Sequence, residues 1–370
     1  MRRILKWIFR IVLLLVVLAF LFVFVAYWTS SNECGRTPAP KNPMKAIVYC
    51  DYGVDKLSYE EVEKPVPTDD QMLVRVHAAS INPLDWHFIE GKPYAMRPMA
   101  GLRKPKQMRL GVDFAGTVEE VGKNVKNYKP GNEVFGGKDG AFAQYLCVRA
   151  DRAVALKPDG VSFEQAASLP IAGITALQAL RDRADVRPGQ KVLINGASGG
   201  VGTFAVQIAK SLGGEVTGVC STHNLELVKS LGAAHVIDYT KEDFTKGVER
   251  YDVLFDNVVN HSLGECRRVL TPKGRYVLVG GGGPNDGPWL GPGLSRAMIL
   301  PVYRKFVSED MGGFFMAQLN HRDLDELTSL IEAGQIRPVI DRSYKLSQLP
   351  EAIRYLEQGH ARGKVIIAVE

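Results

Sequence analysis

The sequence contains no Cys-x-x-Cys pair, and its five cysteines stand far apart, at positions 34, 50, 147, 220 and 266. A structural zinc site or a disulfide framework is recognised by closely spaced or regularly paired cysteines. We therefore expect neither feature. Cys50 and Cys220 lie in apolar, strand-like stretches and are interpreted as small buried hydrophobic residues. This pattern favours a reducing compartment for the globular part.

Acidic residues are absent from the first 32 positions, where Arg2, Arg3, Lys6 and Arg10 supply four of the six net positive charges. Without them, the rest of the chain carries a net charge of only +2. Such a small, scattered excess gives no basis for binding nucleic acid, which proteins grip with clustered positive charge. We expect no nucleic-acid partner.

The N-terminal segment is apolar, with no charged residue between positions 11 and 32. The eighteen residues 11–28 would span about 27 Å as a helix, close to the thickness of a bilayer's hydrocarbon core. An uncleaved anchor is favoured over a signal peptide, since Ala26-Tyr27-Trp28 is a poor cleavage site, and over a core helix, since every face is apolar. We predict a membrane anchor over residues 1–32, bilayer contact through residues 8–28, and a linker over 33–43.

The rest of the chain divides into two regions with different sequence patterns. Short β-branched stretches such as 45–49 and 72–78, separated by turn residues, predict an irregular β-rich region. After a helical stretch at 163–183, strands alternate with helices from residue 191 onwards. That alternation is typical of βαβ units, so we predict an α/β fold with a doubly wound parallel sheet.

A glycine-rich loop lies at the start of this alternation. Residues 196–202 (Gly-Ala-Ser-Gly-Gly-Val-Gly) follow an apolar strand at 191–195 and open a helix. This context identifies a dinucleotide-binding loop, whose glycines let the backbone approach a pyrophosphate at a helix N-terminus. The predicted cofactor-binding residues here are Ser198, Gly199, Gly200, Val201 and Gly202.

The residues after the next strand bear on the choice of cofactor. An NAD enzyme carries Asp or Glu there to bind the ribose 2′-hydroxyl, whereas this chain has Ser221, Thr222 and His223. Their side chains can donate hydrogen bonds to a 2′-phosphate, and no carboxylate follows the strand to repel it. The sequence therefore favours NADPH over NADH, with Ser221 and His223 as predicted binding residues. An equally good interpretation of His223 is a solvent-facing loop residue.

Several further motifs carry a resemblance to a known family. From about residue 44 onwards the chain resembles the quinone oxidoreductase branch of the medium-chain dehydrogenases, close to the reticulon-4-interacting protein group. The matching segments are 80–86 (Ser-Ile-Asn-Pro-Leu-Asp-Trp), 111–118 (Gly-Val-Asp-Phe-Ala-Gly-Thr-Val), 196–207, 236–239 (Val-Ile-Asp-Tyr) and 361–365 (Ala-Arg-Gly-Lys-Val).

The resemblance implies a domain arrangement and an assembly. It implies a GroES-like catalytic domain over 44–165, completed by 311–370, around a Rossmann domain over 166–310. It also implies a homodimer formed through the Rossmann sheets.

The same resemblance implies that the chain has no catalytic zinc site. Zinc enzymes of the superfamily carry a cysteine where Asn82 stands and a His-Glu pair at Val112-Asp113. A catalytic zinc site needs three protein ligands, and the thiolate and imidazole are missing here. We therefore expect no metal site, and alcohol oxidation with zinc is disfavoured.

The activity that the resemblance implies is transfer of hydride from NADPH to a quinone or an α,β-unsaturated carbonyl. Asn82 would donate a hydrogen bond to the substrate or the nicotinamide ribose, and Asp85 would orient its neighbours. His87 would relay a proton; the alternative is a surface residue beside Trp86.

The resemblance adds five cofactor contacts. Thr175 would lie on the nicotinamide side, Tyr239 near the 2′-phosphate, and Lys364 elsewhere along NADPH, while Gly280 and Phe315 are looser matches.

Two functions from different classes follow. One is a membrane-anchored reductase of quinones or enones; the other is an NADPH-binding membrane adaptor or sensor with little turnover. The side of the membrane stays open, because the basic N-terminus predicts an outward-facing domain while the enzyme needs a compartment that contains NADPH.

Overall fold

The computed structural model describes residues 2–29, 34, 39–106, 109–281, 287–313 and 315–369. Its helices are α1 (Arg2–Thr29), α2 (Pro83–Glu90), α3 (Arg97–Ala100), α4 (Phe163–Ala167), α5 (Pro170–Gln178), α6 (Gly200–Ser211), α7 (Leu225–Ser230), α8 (Leu263–Arg268), α9 (Gly291–Tyr303), α10 (His321–Glu332) and α11 (Leu349–Glu357). Its strands are β1 (Pro43–Tyr49), β2 (Leu57–Glu63), β3 (Gln71–Ile81), β4 (Asp113–Val121), β5 (Glu133–Gly137), β6 (Tyr145–Arg149), β7 (Val154–Leu156), β8 (Lys191–Asn195), β9 (Glu215–Cys220), β10 (His235–Asp238), β11 (Tyr251–Asp256), β12 (Leu270–Leu278), β13 (Ile340–Lys345) and β14 (Lys364–Ala368).

The N-terminal segment is helical, since α1 extends over 28 residues. Among the described residues, however, no helix combines the length and the apolar character needed to cross a membrane. The predicted anchor over residues 1–32, with bilayer contact through residues 8–28, is therefore not supported. Of the predicted linker 33–43, residues 33 and 35–38 lie outside the described part of the chain.

A disulfide joins Cys34 to Cys50, which follows β1. Their Cα atoms are 5.7 Å apart although 16 positions separate them in the sequence. The expectation that Cys50 is a buried thiol was wrong, and the argument for a reducing compartment loses its basis, because disulfides persist in oxidising surroundings. Cys220 is buried as a free thiol, as expected.

A seven-stranded sheet is built around β3. Its order is β13-β14-β3-β4-β5-β7, and β6 also pairs with β3. The first half of β3 pairs with β6, while residues 78–81 pair with β14. β4 pairs antiparallel with the other edge of β3, and this register places Asp113 opposite Ser80. The C-terminal strand therefore lies beside the end of β3, directly before α2.

The second sheet is parallel, with the order β10-β9-β8-β11-β12. Its strands are short apolar runs, as expected for strands covered by helices on both faces. From β8 the chain adds β9 and β10 on one side and then β11 and β12 on the other side. This doubly wound α/β sheet therefore has its switch point between β8 and β11. The predicted fold class is confirmed in this part. β10 and β12 are the edge strands of the sheet, and the homodimer stays a prediction.

Helices join the two sheets. The first turn of α5 reaches β4, because the backbone N–H of Ile171 donates to Asp113. At the other end of α5, Gln178 donates to Asp323 of α10 over 2.5 Å. The domain boundaries 44–165, 166–310 and 311–370 stay predictions. β3–β7, β13 and β14 belong to the seven-stranded sheet, β8–β12 belong to the parallel sheet, and β1 and β2 form a separate antiparallel pair.

The predicted helix 163–183 is interrupted. Ser162 caps α4 by accepting from the N–H of Gln165, and Pro170 begins α5 after a break at Ser168 and Leu169. Proline is favoured in the first turn of a helix because it has no N–H to donate. The chain then widens into a π-helical turn, Ala179–Arg183.

The disulfide predicts a definite pattern of alkylation. Unfolding the protein in a thiol-reactive reagent without reductant should modify three cysteines, namely Cys147, Cys220 and Cys266. Adding a reductant first should raise the number to all five. Mass spectrometry of the intact protein measures both numbers. Five modifications without reductant would show that Cys34 and Cys50 are not joined.

Candidate active site

The glycine-rich loop lies at the switch point of the parallel sheet. β8 ends at Asn195, and Gly196 turns the chain with a φ of +87°, a conformation that favours glycine. α6 then begins at Gly200, with no acidic residue in its first turn. A Cβ added to Gly202 would lie 2.0 Å from the carbonyl oxygen of Gly196, so only glycine allows this close packing of helix against turn.

The open side of the loop suits a pyrophosphate. A Cβ added to Gly199 would meet only the Gly196 oxygen within 4 Å, at 3.6 Å, so this face of the loop is free of packed side chains. The N–H groups at the start of α6 and the helix dipole favour an anion there. The predicted residues Ser198, Gly199 and Gly200 thus form a site into which a dinucleotide fits.

Asn224 connects this loop with the end of β9. Its side-chain nitrogen donates to the hydroxyl oxygens of Ser198 and Ser221, each over 3.2 Å. Its side-chain oxygen is buried and has no hydrogen-bond partner in the structure. A buried acceptor without a donor is costly and points to a ligand hydroxyl or an ordered water. Asn224 was not predicted as a site residue, although it directly follows the predicted residue His223.

The region after β9, where the 2′-phosphate of the cofactor is predicted to bind, is more acidic than expected. Thr222 donates its hydroxyl to Asp238 over 2.6 Å, so this donor does not point to a phosphate. Asp238, at the end of β10, also accepts from Thr240 over 2.7 Å. These hydrogen bonds, that of Thr222 first, lower the pKa of the Asp238 carboxyl. His223 and Tyr239 are exposed on either side, where they can reach a ligand.

A buried polar cluster lies where three neighbouring strands meet. Lys364 begins β14, Asp113 begins β4, and Asn82 follows β3 directly. All three are almost fully buried, with exposed fractions of 3%, 0% and 2%. Because β14, β3 and β4 are adjacent, the register of the sheet brings these distant residues together.

The cluster is connected by hydrogen bonds. The Lys364 ammonium donates to the side-chain oxygen of Asn82 over 2.7 Å, to the carbonyl of Ile81 over 3.1 Å and to Asp113 over 3.4 Å. Asp113 also accepts from the Asn82 side-chain nitrogen and the Ser80 hydroxyl, both over 2.9 Å. Burial lowers the pKa of Lys364, and Asp113 opposes this effect. Asp113 and Ser80 were missed as site residues, because their role depends on the pairing of strands.

The role of Lys364 as a cofactor contact stays a prediction. Its ammonium contacts three protein acceptors, and only its side-chain carbons reach the glycine-rich loop. A Cβ added to Gly200 would lie 3.0 Å from Cδ of Lys364. The adjacent Gly363 donates its N–H to the carbonyl of Ser198 over 2.9 Å.

Asp85 lies in the first turn of α2, beside this cluster. Its carboxylate accepts from the backbone N–H of Asn82 over 2.8 Å, which caps the helix. Burial raises the pKa of this carboxyl to about 7, although the hydrogen bond from Asn82 and the charge of Lys364 oppose the shift. Its predicted role in orienting neighbours fits this contact with Asn82.

His87 is half-buried and lies two residues after Asp85 in α2. Its Nδ1 lies 2.8 Å from the carbonyl oxygen of Lys92, and a carbonyl only accepts, so Nδ1 carries the proton. The ring packs edge-on to Trp86, with centroids 4.8 Å apart. Both interpretations of His87 therefore remain predictions.

The other expected cofactor residues are spread out. Thr175 is half-buried in α5, Val201 is half-buried in α6, and Gly280 packs so tightly that an added Cβ would lie 2.4 Å from the carbonyl of Asn257. Phe315 packs against the guanidinium of Arg183, 5.4 Å from the ring centroid. Arg183 ends the π-helical turn that follows α5, whereas Asp113 contacts the first turn of α5, so the structure does not bring Phe315 into the buried cluster.

Comparison with known proteins agrees with this geometry. A family model described as alcohol dehydrogenase GroES-like domain matches residues 68–159, and one described as zinc-binding dehydrogenase matches residues 231–367. The mouse protein NAD(P)H oxidoreductase RTN4IP1, mitochondrial, is 33% identical over 90% of this chain and 94% of its own length. The chain belongs to the medium-chain dehydrogenase/reductase superfamily.

Within this superfamily the chain is similar to quinone oxidoreductases. The structure of the quinone oxidoreductase from Coxiella burnetii superposes with a TM-score of 0.75 at 33% identity, over 89% of this chain and all of the other. The Arabidopsis thaliana protein NADPH-dependent alkenal/one oxidoreductase, chloroplastic, is 35% identical over 91% of this chain and 82% of its own length.

Zinc does not fit the residues that this medium-chain dehydrogenase carries. The positions that the sequence resemblance assigned to zinc ligands hold Asn82, Val112 and Asp113. Neither a thiolate nor an imidazole is among them, and the Lys364 ammonium already occupies the space between Asn82 and Asp113. A zinc ion needs a set of donors that this cluster does not offer.

The raised pKa of Asp85 predicts how stability depends on pH. The folded state holds the proton more tightly than the unfolded state, where the ordinary value is 3.8. This contribution to stability is complete below about pH 4 and is lost as the pH rises through about 7. Asp85→Asn removes the titration but keeps an oxygen that can accept from Asn82. Between pH 5 and pH 8, the free energy of unfolding should therefore fall by roughly 1–3 kcal/mol more in the wild type than in the variant.

Urea unfolding at several pH values measures this difference. Asp159→Asn, at an exposed carboxylate, is the control and should follow the wild-type pH profile. An Asp85→Asn curve parallel to the wild-type curve would show that Asp85 does not titrate in this range.

Proposed function

We propose that this chain is an NADPH-dependent, zinc-independent reductase of quinones or α,β-unsaturated carbonyl compounds. The observation that carries the proposal is the Asn82 carboxamide, held by a buried lysine and aspartate beside the dinucleotide loop. It supplies a fixed hydrogen-bond donor where a metal would otherwise polarise the carbonyl. The printed names of the relatives, a quinone oxidoreductase and an alkenal/one oxidoreductase, support the substrate class.

The cofactor's place follows from the loop. The first turn of α6 and the loop residues Ser198–Gly200 would hold the pyrophosphate, and Ser221 and His223 the 2′-phosphate. Asn224 offers its buried side-chain oxygen to a ligand hydroxyl. When bound, NADPH supplies the reducing equivalent to the electron-poor carbon of the substrate.

Asn82 stabilises the negative charge that develops on the substrate oxygen. One of its N–H bonds is directed to Asp113, and the other can donate to that oxygen. A donor that is already in place when the charge forms lowers the barrier more than water does, because no reorganisation is needed. His87 is the proposed relay for the proton, and as the imidazolium it can donate from Nε2.

The first test measures NADPH consumption by the purified full chain. Quinones and enals should be reduced, saturated ketones should not, and dialysis against a strong chelator should leave the rate unchanged. Binding of NADPH without consumption by any compound would instead favour the sensor function. Stoichiometric zinc together with chelator-sensitive turnover would contradict zinc independence.

The choice of cofactor gives a second test. NADPH should bind more tightly than NADH by about 1–3 kcal/mol, because Ser221 and His223 can donate to the 2′-phosphate. Ser221→Asp should reverse this preference by placing a negative charge against the phosphate. Ser221→Ala, the matched control, should reduce the preference without reversing it. Calorimetric titration measures all three, and wild-type binding of NADH as tight as NADPH would refute the preference.

A further inference from the structure

The Asn82 carboxamide is held at both of its polar atoms. Its oxygen accepts from the Lys364 ammonium over 2.7 Å, and its nitrogen donates to the Asp113 carboxylate over 2.9 Å. An ammonium only donates and a carboxylate only accepts. The carboxamide can therefore adopt one orientation and not the flipped one, which would place like groups against each other.

This orientation decides what Asn82 presents to a substrate. A carboxamide nitrogen has two N–H bonds, and Asp113 takes one of them. The second N–H is the group left to donate. With the amide flipped, Asn82 would present an oxygen instead, which repels the negative charge that develops during the proposed reduction.

We propose that Lys364 is a positioning residue that fixes Asn82 as a hydrogen-bond donor to the substrate oxygen. The proposal rests on the proposed function and assigns Lys364 a role other than binding the cofactor. A lysine ammonium has three N–H bonds, and three acceptors lie within hydrogen-bond distance of them: Asn82, Ile81 and Asp113.

Lys364 also connects this donor with the dinucleotide loop. Residues Gly199 and Gly363 form a parallel bridge, and the Gly363 N–H donates to the Ser198 carbonyl over 2.9 Å. The side-chain carbons of Lys364 pack beside Gly200. The dinucleotide loop and the Asn82 amide are thus connected through two consecutive residues, Gly363 and Lys364.

The experiment is a double-mutant cycle in the full chain, with Asn82→Ala, Lys364→Met and the combination. Because Lys364 acts through Asn82, each single variant should lower kcat by roughly 100–1,000-fold, as expected for loss of one oriented donor. The combination should be no slower than Asn82→Ala alone. The dissociation constant of NADPH should stay within about twofold of the wild type throughout.

Two outcomes would overturn the proposal. Multiplied effects in the combined variant would mean that Lys364 does not act through Asn82. A weakening of NADPH binding as large as the loss of kcat in Lys364→Met would mean that the lysine serves the cofactor instead. Lys157→Met is the control, because Lys157 is 9% exposed, contacts Glu133 over 3.0 Å and lies outside the site; it should keep the wild-type kcat.

Lys364→Met leaves Asp113 buried without its cation and can fail to fold. The variant Asp113→Asn with Lys364→Met removes both charges and should fold. It should keep the low kcat, since no group then fixes the orientation of Asn82. Recovery of wild-type turnover in this variant would show that the ion pair is structural only.

A binding measurement separates this proposal from the proposed function. 4-Nitrophenolate, which carries a negative oxygen, should bind the complex of the protein with NADP⁺ and shift in absorbance. Lys364→Met and Asn82→Ala should each weaken this binding about tenfold or more, whether or not the wild type reduces any quinone. Wild-type affinity in Lys364→Met would contradict the positioning role, while an inactive wild type would contradict the proposed function.

Discussion

The buried pair of Lys364 and Asp113 is the interaction on which the site depends. Each charge is withdrawn from water, so each needs the other and a full set of hydrogen bonds to be tolerated. Asp113 meets this demand with Ser80, Asn82 and the N–H of Ile171. The pair therefore fixes three adjacent strands of one sheet, and through Ile171 it fixes the start of α5.

The elements around the dinucleotide loop could be predicted well from the sequence. The strands at 191–195 and 215–220 have the predicted limits, because a compact apolar run ends at turn residues in both cases. The elements that were not predicted include β2, α9 and β13. β2 and β13 have no fully buried residue and thus lack alternation, and α9 contains Pro301. Their formation depends on neighbours that the local sequence does not reveal.

The site could be predicted only where its chemistry is local. The glycine-rich loop and Asn82 are recognised from short motifs, since neighbouring residues define them. The contacts of Lys364 depend on which strand lies beside β3, so its ammonium could not be assigned from the motif at 361–365. The disulfide was missed for a similar reason, because 16 positions separate Cys34 from Cys50 and no local pattern relates them.

Asp85 gives the site a net charge that changes near neutral pH. Lys364 and Asp113 balance each other, so the cluster is uncharged while Asp85 holds its proton, and burial raises the pKa of that carboxyl to about 7. Loss of the proton adds one uncompensated negative charge next to the backbone of Asn82. An electron-rich oxygen of a substrate would then meet repulsion as well as the Asn82 donor. For the hydrogen bond that we propose between Asn82 and a substrate oxygen, mildly acidic surroundings are therefore more favourable than alkaline ones.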